Sequence, residues 1–448
     1  MFLRIVERSF VIIFFLYLMG AATVIFYSSD SMETFNSAQG VLHWQTTVVQ
    51  LMLFAIGLLL ILTRWRRVAA AAFRAWPLLL LLGLQISSAL WSVDPSLTLR
   101  KCSLEFLTLL MAFYFGERYT PEAFARILAE IMCMAMGLVA VLYVVAPGIV
   151  LDAEQSNALK GLAANKNGFG FYIGMTVALL IIVRLGKLEW LRYICLPVSV
   201  GMLLLSRSMT SVAAAAVILL SLPLWLTTRL PSKQRIAAHL SILLAIAAVV
   251  YLSIANSVFL FSLLGRDATF TGRTSIWQQL IVAIHHHPIL GYGYGAFWTG
   301  IRGESLDVIV AAGFIVPSAH NAYLETWLGL GIPGLVLTAL AFWKIFGLAV
   351  EYIANERGMS ALWPIACIFF ILVHGLAESE FIYDSSFACC MFSVLYTSLA
   401  VRQRSAHKSV LPERALASGV LLTDSRRGPL YSPRNTGLAP GRESSEVF

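Results

Sequence analysis

The chain has 448 residues, of which 59% are hydrophobic and only 12% charged. Soluble domains carry about 25% charged residues, so a soluble globular enzyme is excluded; the apolar residues run in long unbroken blocks, which also excludes a barrel of short alternating strands. The formal net charge of +8 is that of a polytopic membrane protein with basic loops, and no nucleic-acid module accompanies it.

A helix crosses a bilayer with roughly 20 apolar residues. Runs of that kind lie near 9–27, 46–63, 76–91, 102–117, 127–146, 168–185, 190–206, 210–228, 238–260, 321–345, 361–377 and 383–401. They predict an all-α polytopic protein with about twelve transmembrane helices. The first run has no small-residue cleavage site and reads as a retained helix. Basic residues then alternate by loop: Arg4 and Arg8; Arg64, Arg66, Arg67 and Arg74; Arg184, Lys187 and Arg192; Arg229, Lys233 and Arg235; Lys344 and Arg357; Arg402, Arg404 and Lys408. The positive-inside rule puts all of these, and both termini, in the cytoplasm. Arg100 and Lys101 depart mildly from it.

Two segments fall outside this pattern. The 261–320 interval, between helices nine and ten, is too long for a bare connector and is expected to be external. Within it, Ile276, Trp277, Leu280, Ile281 and Ile284 recur at helical spacing, predicting an amphipathic helix at the interface. Pro288 ends it, and Gly291, Gly293 and Gly295 form a turn where backbone can approach a ligand. Residues 1–401 therefore read as the membrane domain and 402–448, rich in Ser, Pro, Gly and Arg, as a basic cytoplasmic tail, disordered beyond about residue 405. The six cysteines show neither metal spacing nor a disulfide framework and read as small buried apolar residues.

The residues that carry chemistry gather on the external face. Arg207, in Ser206-Arg207-Ser208, either snorkels to the interface or binds an anion. Arg273 opens the amphipathic helix, where a cation opposes the helix dipole unless an anionic ligand resolves the conflict. His320 precedes Asn321 at the mouth of a membrane helix, with Glu325 one turn further on. A histidine there can take a proton from a hydroxyl near neutral pH. Lys166 and Asn167 follow Asn165 in the 147–167 loop, and a lysine can hold phosphate as a point charge. Asp94, in Trp91-Ser92-Val93-Asp94-Pro95, can bind sugar hydroxyls or cap a helix.

Two other groups are set aside. His285, His286 and His287 point about 100° apart on a helix and cannot converge on one ion, so no metal and no cofactor is expected. Glu105, His374, Glu378, Glu380 and Asp384 are ionisable groups in or near the membrane; they either line a cavity or anchor helix ends.

Taken in order, Ser206-Arg207-Ser208, Arg273, Pro288 to Gly295, and His320-Asn321 with Gly329 and Gly331 resemble the O-antigen ligase and Wzy-type polymerase superfamily. Asn165-Lys166-Asn167, Trp91 to Pro95 and the Gly265-Arg266-Asp267 to Thr274 pattern are more similar to its exopolysaccharide polymerase branch, of the succinoglycan type. The resemblance covers roughly residues 5–400. It implies a GT-C-like, metal-independent glycosyl transferase of the bacterial inner membrane with its site facing the periplasm. Its donor, and its acceptor in a polymerase, would be an oligosaccharide on undecaprenyl diphosphate, with a flippase and a chain-length regulator as partners. Arg207 and Arg273 would hold the diphosphate and His320 would activate the acceptor hydroxyl. Lys166, Asn167, Asn321, Glu325 and Asp94 would bind substrate. Transfer to lipid A-core or another acceptor by a ligase, and transport without chemistry, remain the alternatives.

Overall fold

The computed structural model describes residues 2–22, 44–227, 234, 273–300, 303–356, 358–379 and 386–417. The expected span at 238–260, residues 261–272, Glu380 and Asp384 lie outside these. Residues 1–404 form one compact unit and 405–448 a second.

The first unit is built of α1 (Phe2–Leu18), α2 (Trp44–Leu62), α3 (Trp65–Arg74), α4 (Trp76–Ser87), α5 (Pro95–Arg118), α6 (Pro121–Val145), α7 (Lys166–Ile182), α8 (Glu189–Leu205), α9 (Met209–Leu226), α10 (Arg273–His286), α11 (Ser305–Ala312), α12 (Ala322–Asn355), α13 (Trp363–His374) and the start of α14 (Phe387–Ala417). A two-stranded antiparallel hairpin pairs Leu151 with Leu159 and Asp152 with Ala158. The protein is thus an all-α, multi-pass membrane protein.

Among the described residues, α2, α6, α12 and α8 with its preceding turn are each long and apolar enough to cross a membrane. The pair α3 and α4, bent by 87° at Ala75, would make a fifth. The remaining apolar helices, including α7, α9, α13 and the first part of α14, are shorter. The bend has a sequence cause. Pro77 sits in the first turn of α4, where its missing N–H costs nothing. The arginine-rich stretch after α2 is therefore a helix, not a loop. Its Val68 and Ala71 are buried, while Arg66, Arg67 and Arg74 are exposed. At the other end of the chain, α14 continues to Ala417, past the point near residue 405 where the tail composition predicts order to end.

Helix starts are marked by side-chain caps. Asp94 caps α5, Thr120 caps α6, Asn165 caps α7 and Asn321 caps α12, each accepting from one or two of the free N–H groups of the first turn. The core is aromatic. Phe10, Phe14 and Phe15 of α1 meet Phe115 of α5 at ring distances of 5.6 to 6.1 Å. Phe15 also meets Phe387 of α14 edge-on. At the same end of the bundle, buried Glu7 accepts from Arg118 Nε (2.7 Å) and the Tyr114 hydroxyl (2.9 Å).

Residues 273–300 and 303–320 fold back on α12 and carry a small core of their own. Ile276, Leu280 and Ile284 of α10 bury against Tyr292, Phe297, Trp298, Val308 and Val316. The amphipathic helix is present: Ile276, Leu280 and Ile284 of its apolar face are buried inside this segment, while Ile281 stays exposed. The glycine-rich turn also differs from expectation. Gly331 breaks α12 with φ 62° and ψ −160°. The turn's backbone fills the break: the N–H groups of Tyr292 and Gly293 donate to the carbonyls of Leu328 (2.8 Å) and Gly329 (3.0 Å), and Ile332 N–H donates to Pro288 (3.3 Å). A Cβ on Gly331 would lie 1.9 Å from the Ile289 oxygen. What the glycines approach closely is the helix backbone, and on the other side Ser92 and Lys101.

Candidate functional site

The turn after α13 places Glu378 beside the two residues that the sequence singles out most strongly. One carboxylate oxygen pairs with Arg273 Nη2, and the other accepts from His320 Nδ1 at 3.1 Å. Their side chains retain 14%, 5% and 23% of their exposure for Arg273, Glu378 and His320, so the group is screened from water but open on the histidine side. Burial raises the Glu378 carboxyl, but the hydrogen bond and charge of His320 and the charge of Arg273 outweigh it and hold the group below the usual range. An ionised carboxylate can only accept, so His320 Nδ1 carries a proton, and whenever the ring is neutral it is Nε2 that holds the lone pair.

Local structure fixes this arrangement. His320 sits in the left-handed region (φ 46°), a conformation that costs a non-glycine residue free energy and persists where its surroundings over-determine it. The surroundings are identifiable. Trp277 of α10 donates to the Ala319 carbonyl at 2.9 Å. Asn321 Oδ1 caps α12 through Tyr323 N and Leu324 N, while its Nδ2 donates to the Leu376 carbonyl and its backbone N–H to Ser379 Oγ. Ala322 N–H donates to the Gly375 carbonyl at 2.8 Å. The starts of α10 and α12 are thereby stitched to the turn that carries Glu378. The conflict of Arg273 with the start of α10 is met here by the Glu378 carboxylate.

A second polar line runs from the same turn. His374, at the end of α13, accepts Glu378 N–H on its carbonyl at 3.0 Å. Its Nε2 is 3.0 Å from Ser211 Oγ, which is 2.9 Å from Ser208 Oγ. Ser208 follows Arg207, which is exposed and, like His320, left-handed (φ 52°). Helix α7 packs on this line: a Cβ on Gly170 would come within 2.6 Å of Ser208 and Ser211. Lys166 and Asn167, both half-buried, lie in the turn of α7 just before Gly170. The Arg207 turn, the start of α7 and the Arg273–Glu378–His320 group are thus neighbours in the fold.

Glu325 and Asp94, like Asn321, have partners within the protein. Glu325 is buried, with Oε1 accepting from Trp298 Nε1 (2.8 Å) and Oε2 from Ala319 N–H (2.6 Å); it braces the segment before His320. Asp94 accepts from Leu97 N–H (2.9 Å) and Ser96 Oγ (2.7 Å). Those bonds, Leu97 first, hold its carboxyl below the usual range. It is a helix cap. The three adjacent histidines diverge: His285 reaches the Ile281 carbonyl, His286 reaches Glu304, and His287 stacks edge-on against Tyr292. Glu378 is the residue that sequence reasoning left among the unassigned acids. The available clue was an ionisable pair, His374 and Glu378, one turn apart at the end of a membrane helix.

Residues 194–339 match the family model described as O-antigen ligase. That span includes Arg207, Arg273 and His320; Glu378 lies beyond it. The chain is 29% identical over 301 residues to the exopolysaccharide production protein ExoQ of Rhizobium meliloti, covering 63% of this chain and 67% of that protein. It is 30% identical over 126 residues to the ComP-specific O-oligosaccharyltransferase of Acinetobacter baylyi, covering 28% of this chain and 22% of that protein. With about a third of its length matching the O-antigen ligase model, the chain fits the O-antigen ligase and Wzy-type polymerase superfamily, near the exopolysaccharide production protein.

Proposed function

We propose that this protein polymerises undecaprenyl-diphosphate-linked oligosaccharide repeat units into exopolysaccharide at the external face of the bacterial inner membrane, as a metal-independent glycosyl transferase. The observation that carries the reading is one buried carboxylate, Glu378, that joins Arg273 to His320. In the reaction, His320 Nε2 takes the proton of the acceptor hydroxyl, and that oxygen attacks the anomeric carbon of the donor. The bond from that carbon to the phosphate oxygen breaks, and undecaprenyl diphosphate leaves. Arg273 has guanidinium donors beyond the one Glu378 takes, and with Arg207 it stabilises the charge that grows on the diphosphate. Lys166 at the start of α7 adds a further cation, and Asn167 a hydrogen-bonding group, to the same wall. In this reading the chain has about twelve spans, both termini and the 402–448 tail are cytoplasmic, and the 261–320 segment faces the periplasm. The partners are a flippase that delivers units and a chain-length regulator.

Ligation is the second reading. It is favoured by the O-antigen ligase match and by the oligosaccharyltransferase relative. Transport is disfavoured by the break in α12. In transporters, unwound carbonyls coordinate ions; here those of Leu328 and Gly329 accept from Tyr292 and Gly293. Glycolipid analysis of a deletion strain separates the readings. Loss of long exopolysaccharide with accumulation of single lipid-linked units supports polymerisation. Intact polymer with uncapped lipid A-core supports ligation and overturns it.

A further inference from the structure

A cavity of about 840 Å³ opens at the Lys344 end of the bundle, where α3 and α4 meet α12 and α14. It lies roughly 35 Å along α12 from His320 by helical rise, so it is separate from the site described above. Arg74, the last residue of α3, and Lys344 of α12 line it, and neither forms an ion pair among the described residues. Around these cations stand three exposed aromatic rings: Phe73 (74% exposed), Trp76 (42%) and Trp343 (74%). The floor is left open by Gly347, where an added Cβ would meet nothing within 4 Å. On a further wall, the Glu351 carboxylate accepts from Gln403 at 2.6 Å.

This combination has a chemical reading. Exposed tryptophans in a membrane protein sit at headgroup level, with the ring in the apolar zone and the N–H toward water. Two cations at that level, without an ion pair among the described residues, attract phosphate. The 87° turn from α3 to α4 sets an amphipathic helix with exposed arginines next to an apolar one, the geometry of a helix lying in the interface above a helix that enters the bilayer. We propose that this cavity binds a phospholipid, with the headgroup phosphate between Arg74 and Lys344 and the glycerol and upper acyl chains against Phe73, Trp76 and Trp343 over Gly347. The inference is independent of the transfer reaction.

The test uses the full-length protein in detergent, titrated with phosphatidylglycerol and followed by native mass spectrometry. The wild type should hold one phosphatidylglycerol more tightly than the rest. Arg74→Ala and Lys344→Ala should each weaken that binding by about fivefold, the worth of one interfacial cation. Gly347→Leu should displace the lipid by occupying its space, and because nothing abuts that position its unfolding temperature should not fall. Glycerol phosphate, which has the headgroup chemistry without the tails, should fail to compete at millimolar concentration. Retention of the lipid in Gly347→Leu and in the double Arg74→Ala, Lys344→Ala variant would overturn the proposal. So would displacement by glycerol phosphate, which would make the cavity a soluble-phosphate site.

Discussion

Replacing Glu378 by Gln probes the site at the atom on which the proposed chemistry turns. The carboxylate offers acceptors to both Arg273 and His320. A glutamine of the same shape has one acceptor oxygen and one NH2 group. If the oxygen stays with Arg273, the NH2 faces His320 Nδ1, which must then accept. The proton moves to Nε2, and the ring loses its lone pair toward the acceptor hydroxyl. Loss of a general base costs on the order of 10²–10⁴-fold in rate, or about 3–5 kcal/mol of barrier at about 1.4 kcal/mol per tenfold. If the NH2 instead faces Arg273, two donors oppose each other. Removing one partner of a fully buried ion pair costs about 3–5 kcal/mol. Arg273 keeps 14% exposure and Gln keeps the shape, so the stability loss should fall below that, at about 1–3 kcal/mol. The assay is polymer formation from lipid-linked repeat units by purified protein, with donor binding and unfolding temperature measured on the same samples. Turnover should fall at least 100-fold while donor binding survives. Near-normal turnover, or donor binding lost to the same extent as in Arg273→Ala, would refute the assignment of Glu378 as the residue that positions His320.

Arg273→Lys should keep a charge near Glu378 but lose the planar fork, so activity should recover only partly relative to Arg273→Ala; full recovery in gel-resolved polymer would show that a point charge suffices. Asp94→Ala should lower stability by about 1 kcal/mol through loss of the α5 cap, and Asp94→Asn should restore most of it with normal activity, whereas a sugar-binding role would leave Asn impaired. Because the folded Asp94 carboxyl is depressed, its contribution is complete above the unfolded value near 3.9 and should vanish as pH falls through the folded one, as read in pH-dependent unfolding of wild type against Asp94→Asn. Gly331→Ala should prevent accumulation of folded protein, since its left-handed φ and the Ile289 oxygen at 1.9 Å exclude a Cβ; ordinary expression and melting would contradict the packing described. Val310→Cys, placed on the exposed side of α11 (72% exposed) in a cysteine-free background, should react with an impermeant maleimide in intact spheroplasts; labelling only after lysis would reverse the topology.

The parts of the fold legible in the sequence are those set by local composition. Apolar runs mark α2, α6 and α12, and Asp94-Pro95 and Asn321 mark helix starts because caps and first-turn prolines act within a few residues. The chemistry of Arg273 and His320 was legible as residue type and order. Their meeting was not, because Glu378 lies 105 and 58 residues away from them and only packing of α10, α12 and the turn after α13 brings the three together. The glycine-rich turn misled for a related reason. Gly291 and Gly293 permit close approach to something, but the sequence does not say what, and the answer depends on a break at Gly331 far along the chain. Helical spacing puts Glu325 about one turn past His320, yet its oxygens are claimed by Trp298 and Ala319, partners without any sequence signature. The 87° turn at Ala75 was hidden because an apolar run and its basic neighbour read equally well as helix and loop.

The seam between the glycine-rich turn and the break in α12 bears on how a long product is handled. Backbone bonds at Leu328, Gly329 and Pro288, with Trp327 Nε1 donating to the Pro288 carbonyl at 3.0 Å, rivet the glycine-rich turn to α12 well below its start. His320 itself is braced by Trp277 on the Ala319 carbonyl and by Asn321 on the turn after α13. A polymer lengthening by repeated cycles would then slide past a stationary histidine, and release would be governed by the grip of the cationic wall on the departing diphosphate. Processivity in such a machine would be tuned by the charge facing the substrate, so that adding salt shortens the chains it makes.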